Sequence, residues 1–287
     1  MKILSDIRCG IGEAPVWNNK EQKLYFTNGM KNQICAYDFK SEKSIIRDLP
    51  FGVAAIAFDL KNRLIVSHIG GVHILNDNDS LTPIYDNSKY QIKHANDMKV
   101  GPDGAIYVGT QSEFRKGISN KVDGKLYRIS PSGEVEVLLD NLSLSNGMEW
   151  SIDERYFYHT DSDTHIIKEY SFDKKTGKIN YTNREIGVTG VDGFTIGSDN
   201  NLYVGCWGQG HVAVVNANTM RLSSMIEMPC ITPVSCSFCG KDMDVLATTT
   251  ASCYLDVEKD VNAGYTLLLK MQVKGRVPYL FGAQKAL

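Results

Sequence analysis

The chain has 287 residues, 43% of them hydrophobic, and a net charge of −2, which suits one large all-β domain or two average domains. With no basic excess to neutralise phosphates, composition points away from nucleic acid and anionic membranes as partners. No stretch approaches the roughly 20 apolar residues that span a bilayer.

Met1 to Gly10 contains Asp6 and Arg8 and no sustained apolar core, so it does not read as a secretory signal, and a cytoplasmic protein is expected. Gly12-Glu13-Ala14-Pro15-Val16-Trp17 follows, then a β-rich run, Lys23-Leu24-Tyr25-Phe26-Thr27-Asn28. That run returns as Arg63-Leu64-Ile65-Val66-Ser67-His68. His94-Ala95-Asn96-Asp97-Met98-Lys99-Val100 precedes the third copy, Asp103 to Thr110. Asp123-Gly124 and Ser132-Gly133 read as hairpin turns. Ser145-Asn146-Gly147-Met148-Glu149-Trp150-Ser151 leads into the fourth copy, Arg155 to Asp161, and Thr176-Gly177 reads as another turn. Val191-Asp192-Gly193-Phe194-Thr195 leads into the fifth, Asn201 to Cys206, and Asp244 to Thr249 is the sixth.

Taking Leu24, Leu64, Ile106, Tyr156, Leu202 and Val245 as equivalent gives spacings of 40, 42, 50, 46 and 43 residues. These match the roughly 40–50 residues of a four-stranded propeller blade. Helical periodicity is absent, and no Pro/Ser-rich linker divides the chain. The expected fold is all-β: one six-bladed β-propeller domain over residues 1–287, with four-stranded blades, closed by N- and C-terminal strands. The closing blade should hold Thr266-Leu267-Leu268-Leu269 and Met271-Gln272-Val273 and take a strand from the N-terminal segment, which protects the sheet edges.

Seven scattered cysteines argue against a disulfide framework. Cys236-x-x-Cys239 lacks a second pair or a nearby histidine to complete a zinc site, and buried, inert thiols are expected. His68, His73, His159, His165 and His211 show no metal-ligand spacing and are expected to be structural or surface residues. Trp207 fits a pocket rim and inter-blade packing equally well. Gly208-x-Gly210 lacks the third glycine of a dinucleotide fingerprint.

The most specific signal is an offset. Asn96, Asn146 and Asp192 each lie 10 residues before a repeat position, and Glu13 lies 11 before Leu24. Asn-Gly and Asp-Gly pairs are common turns, and any one motif alone reads as a turn. Four hard oxygen donors at one blade position instead predict convergence on the axis around a divalent cation, Ca²⁺ foremost, with Mg²⁺, Mn²⁺ or Zn²⁺ as alternatives. Lys99 and Asp97 would stand behind these ligands and orient them.

Gly12-Glu13-x-Pro15, Asn96-Asp97-x-Lys99-Val100, Asn146-Gly147-x-x-Trp150-Ser151 and Asp192-Gly193 resemble the regucalcin/gluconolactonase (SGL) family. Leu202-Tyr203-Val204 with Trp207-Gly208, Pro233 to Phe238 and Lys274-Gly275-Arg276-Val277-Pro278 extend the resemblance in order along nearly the whole chain. The resemblance implies a metal held by Glu13, Asn146 and Asp192, with Asn96 as a further ligand or a substrate contact. It implies hydrolysis of a sugar (aldono-) lactone by metal polarisation of the carbonyl and activation of water, with Asp192 as general base. Glu113, three residues after Gly109-Thr110, would contact substrate hydroxyls. His94 stands where many sugar lactonases of the family carry arginine, so a planar fork of donors is replaced by a ring with pH-dependent charge. Alternatives are a non-catalytic calcium- or metabolite-binding propeller, and a related metal-dependent esterase or phosphotriesterase.

Overall fold

Short runs rich in β-branched and aromatic residues, each ended by a turn residue, can pair only as antiparallel hairpins. In the computed structural model, which describes residues 1–282, they form 24 strands in six four-stranded antiparallel sheets. After β1 (Lys2–Leu4), the first sheet is β2 (Gly12–Asn18), β3 (Lys23–Asn28), β4 (Gln33–Asp38) and β5 (Lys43–Asp48). The second is β6 (Ala55–Phe58), β7 (Leu64–His68), β8 (Gly71–Leu75) and β9 (Leu81–Pro83). The third is β10 (Ala95–Val100), β11 (Ile106–Thr110), β12 (Gly124–Ile129) and β13 (Val135–Leu142). The fourth is β14 (Ser145–Trp150), β15 (Tyr156–Asp161), β16 (Ile166–Phe172) and β17 (Ile179–Gly187). The fifth is β18 (Val191–Ile196), β19 (Asn201–Cys206), β20 (His211–Asn216) and β21 (Arg221–Glu227). The sixth joins β22 (Pro233–Cys239), β23 (Val245–Thr250) and β24 (Thr266–Lys270) to β1.

The first strands β2, β6, β10, β14, β18 and β22 touch their neighbours in a closed ring, which makes the molecule a six-bladed propeller. The repeat found in the sequence is the second strand of each blade. The ring closes as expected: β1 pairs with β24 from Lys2↔Leu268 to Leu4↔Thr266. Met271 to Val273 is not a strand; beyond the end of β24 both Met271 and Val273 pack on the core.

Turns follow the chemistry of the left-handed backbone: Gly133 (φ 85°) and Gly177 (φ 72°) sit in the predicted hairpins. Asp123-Gly124 is a correction. It is no hairpin turn but the end of a long loop, and Gly124 opens β12 where a Cβ would strike the Leu142 carbonyl.

The core lies between blades. Trp17, Phe26, Phe238 and Leu267 fill one interface; Tyr107, Trp150, Phe157 and Phe172 fill another, with Tyr107 edge-on to Trp150 at 4.8 Å. All seven cysteines are unpaired, and all but Cys253 are buried. Burial pushes the Cys236 thiol up to about 12. Among the described residues there is no α-helix, only a 3₁₀ turn at Ser162–Thr164, and no helix long and apolar enough to cross a membrane.

His159 is 2% exposed, with Nε2 2.7 Å from Ser145 Oγ, and burial holds its pKa down to about 3. An unfolded histidine takes up its proton near 6.5, so this folded-state depression stabilises above that pH and is lost as pH falls. The stability difference between wild type and His159→Gln should shrink by about 1.4 kcal/mol per pH unit below 6.5. Urea unfolding of both proteins at pH 7 and pH 5 measures it; a difference that stays constant would refute a neutral buried histidine.

Candidate metal and substrate site

Five of the six innermost strands share one irregularity. Their pairing slips between Glu13 and Val16, Ala95 and Met98, Ser145 and Met148, Val191 and Phe194, and Pro233 and Cys236. β6 pairs without a slip. A bulge leaves its extra residue unpaired and re-aims that side chain. Asn96, Asn146 and Asp192 are each the first residue after the last regular pair, so the shared 10-residue offset is one bulge repeated in three blades. Glu13 still pairs with Thr27, one position earlier, which accounts for its offset of 11; Ala14 then takes a left-handed φ of 47°. The matching residue in the sixth blade is Val234, buried and without a donor.

Asn96 and Asn146 are in contact. Asn96 Nδ2 donates to Asn146 Oδ1 at 2.7 Å and to the Ser145 carbonyl at 3.1 Å, and Asn146 Nδ2 donates to Ser162 Oγ at 2.9 Å. An amide oxygen has two lone pairs, and this bond uses one of Asn146 Oδ1's. Glu13 and Asp192 are both half-buried, and the Glu13 charge bears on Asp192. Burial, then Asp97, pushes Glu13 up to about 7; burial, then Glu13 and Asp97, holds Asp192 well above the ordinary carboxylate range. No hydrogen bond or ion pair to either carboxylate offsets this among the described residues, and the one opposing charge felt by Asp192 is Arg115.

Two desolvated carboxylates that repel each other are costly unless a cation lies between them. Carboxylate and amide oxygens are hard donors, suited to Ca²⁺, Mg²⁺ or Mn²⁺. Among the described residues no three His, Cys, Asp or Glu side chains form a ligand cluster. The predicted set takes half its donors from asparagine, and no histidine or thiolate enters it to favour zinc.

His94 and Glu113 come together, but in a neighbouring pocket of about 320 Å³ over the third blade, with Thr110, Asp123, Lys125 and Tyr127. Glu13, Asn146 and Asp192 do not line it. His94 has a left-handed φ of 54°, which turns it out of line with Asn96; its Nδ1 is buried without a partner, and burial lowers its pKa. The backbone N–H of Glu113 donates to Asp123 Oδ1 at 2.8 Å.

Arg115 went unnoticed in the sequence because it lies in the irregular loop between β11 and β12. It forms an ion pair with Asp163, beside the Ser162 that holds Asn146. A better-enclosed cavity of about 290 Å³ lies at the other end of the axis, lined by Asp97, Lys99, Glu149, Ser235, Arg276 and Tyr279. Glu149 there is already matched, by Lys99 at 3.0 Å and Arg276 at 2.5 Å, so the unmet demand for a cation is at Glu13 and Asp192.

Residues 11–252 match the family described as SMP-30/Gluconolactonase/LRE-like region. Regucalcin of Gallus gallus is 27% identical over 96% of this chain and 95% of that protein. The solved calcium-binding protein regucalcin of Agrobacterium tumefaciens superposes with a TM-score of 0.85 at 22% identity, covering 97% of this chain and 96% of that one. A gluconolactonase from Xanthomonas campestris gives 0.72 at 18% identity, covering 94% and 87%. At these identities the two solved structures establish likeness of fold.

Proposed function

Because the chain belongs to the SMP-30/gluconolactonase/LRE-like family, we propose that it is a metal-dependent lactonase that opens a sugar (aldono-) lactone to its hydroxy acid. The observation that carries this reading is the uncompensated Glu13–Asp192 pair beside the bonded amides of Asn96 and Asn146. Glu13, Asn146 and Asp192 would hold the cation, with Asn96 at its edge. A divalent cation bound there would polarise the lactone carbonyl and lower the pKa of a water.

Asp192 is the residue to accept the proton of the attacking water, because burial makes its carboxylate more basic than an exposed one. A cation held there would lower that basicity again, and Asp192 would remain the residue that takes the proton. Asn96 spends its N–H groups on Asn146 and Ser145, which leaves its carbonyl oxygen to accept from a substrate hydroxyl or to ligate. His94 and Glu113 extend polar contacts beyond the axis. A neutral His94 offers one donor and one acceptor, which suits hydroxyls better than a carboxylate. The unpaired thiols fit a reducing compartment, and we place the protein in the cytoplasm with a small-molecule lactone as its partner.

The similar solved protein described as calcium-binding favours a second reading, a binding propeller without turnover. A pH-stat assay over a panel of aldonolactones separates the two. Turnover should vanish on chelation and return with Ca²⁺, Mg²⁺ or Mn²⁺. Tight Ca²⁺ binding with no turnover of any lactone would favour the binding protein; turnover unaffected by chelation would contradict the metal site.

A further inference from the structure

We propose that Lys99, Glu149 and Arg276 form a charged brace that sets the spacing of the strands carrying Asn96, Asn146 and Asp192, which makes the C-terminal segment a working part of the site. This rests on the lactonase reading of the axis and extends it to residues that touch neither metal nor substrate.

Directly beneath the site the axis is hollow, with a cavity of about 290 Å³. Side chains that face this hollow have no opposing core to pack on, so polar contacts across it add to the direct contacts between β10, β14 and β18. Lys99 lies three residues after Asn96, and its Nζ donates to Glu149 Oε2 at 3.0 Å and to the Phe194 carbonyl at 2.8 Å. Glu149 lies three residues after Asn146 and is 6% exposed. Phe194 lies two residues after Asp192. One ammonium group therefore joins all three strands within three residues of the bulges.

Arg276 completes the brace from the far side of the chain. It donates to Glu149 Oε1 at 2.5 Å and to the carbonyls of Trp150 and Ser151, each at 3.2 Å. The segment around it crosses the far mouth of the channel. Ser198 N–H donates to the Lys274 carbonyl at 2.6 Å and Gly275 N–H to Met243 at 2.7 Å. Tyr279 Oη donates to Glu154 Oε1 at 2.5 Å, Phe281 N–H to Phe58 at 2.9 Å and Gly282 N–H to Gly104 at 3.0 Å. Five of the six blades are thus strapped by one segment that also supplies Arg276 to the brace. Lys99 and Arg276 outweigh burial and keep the Glu149 carboxyl below its ordinary range, so it remains a charged anchor. Removing Arg276 leaves the buried Glu149 to Lys99 alone, and removing the Glu149 charge leaves two cations facing each other; either change loosens the link between the strands.

Ca²⁺ titration calorimetry and lactone kinetics test this on wild type, Glu149→Gln, Arg276→Met and a control, Arg128→Met. The control breaks a comparable buried ion pair, Arg128 to Asp103 at 2.8 Å, that touches none of the three strands. At a temperature where circular dichroism shows all four folded, the brace variants should bind Ca²⁺ about 10–100-fold more weakly, as loss of a residue that orients ligands does. Their kcat/KM should fall in parallel, and the control should keep wild-type affinity. Wild-type affinity in the brace variants, or an equal loss in the control, would overturn the brace while leaving the lactonase reading standing. Should either brace variant not fold, Arg276→Lys decides: it keeps the charge and loses the fork, so a few-fold weaker affinity is expected, and no change overturns the proposal. A wild type that binds none of Ca²⁺, Mg²⁺ and Mn²⁺ would sink the functional reading, and the brace with it.

Discussion

Asp192→Asn is expected to lower kcat/KM for lactone hydrolysis by at least 10²–10⁴-fold, the contribution of a positioned general base, with loss of a charged ligand adding to it. The same substitution should stabilise the metal-free protein. Asp192 is half-buried near Glu13 and Asp97, and desolvation and both neighbouring charges disfavour its carboxylate. Glu13 is in the same position, raised to about 7. A carboxyl whose folded pKa lies above its unfolded value stabilises at low pH, and that contribution is lost as pH rises through the folded value. Without metal, wild type should therefore lose stability relative to Asp192→Asn as pH rises from about 4 through 7. Thermal unfolding in chelator at several pH values, paired with the activity assay, checks both halves. A variant that is inactive and also less stable than wild type without metal would point to Asp192 as a structural residue.

Gly147→Ala should cost about 1–3 kcal/mol or more of stability and, in whatever folds, at least 10-fold in kcat/KM. Gly147 follows Asn146 on β14, and its Cα faces the Asp192 carbonyl and the Phe194 ring on β18. An added methyl would fall inside van der Waals distance of both, and neither is the free end of a flexible chain. The strands must part, which separates Asn146 from Asp192. Gly193 is built the same way against Ser235 of the next blade. Denaturant melts and lactone kinetics measure the two effects, and Ca²⁺ titrations follow the metal site. A Gly147→Ala protein of wild-type stability and affinity would show that the inner strands do not need this close approach.

These two glycines show why part of the site was legible in the sequence. Asn146-Gly147 and Asp192-Gly193 look like turns taken singly, yet both lie inside strands. The equal offset carried the information because a bulge recurring at one place in each blade fixes the distance to the following strand. Blade spacing was legible for a related reason: the second strand of each blade is buried on both sides and bounded by turn residues, so its pattern repeats.

What the sequence hid depends on single backbone angles or on distance along the chain. The left-handed φ of His94 sends it to a pocket shared with Glu113 and not with Asp192, and no pattern of neighbours announces that angle. Arg276 meets Glu149 across 127 positions, which no local motif can encode. His68 and His73, expected to be structural or surface residues, share a 2.9 Å hydrogen bond because a tight turn folds β7 onto β8. Asp123-Gly124 misled because glycine serves close approach as readily as it serves turns.

Anomalous diffraction from crystals soaked in Mn²⁺ offers the sharpest check on the axial cation. One strong peak should stand within about 2.0–2.6 Å of oxygens from Glu13, Asn146 and Asp192, the range of hard-cation ligation. A map with no peak there, or with the ion seated only at surface carboxylates, would contradict the site and the chemistry assigned to it.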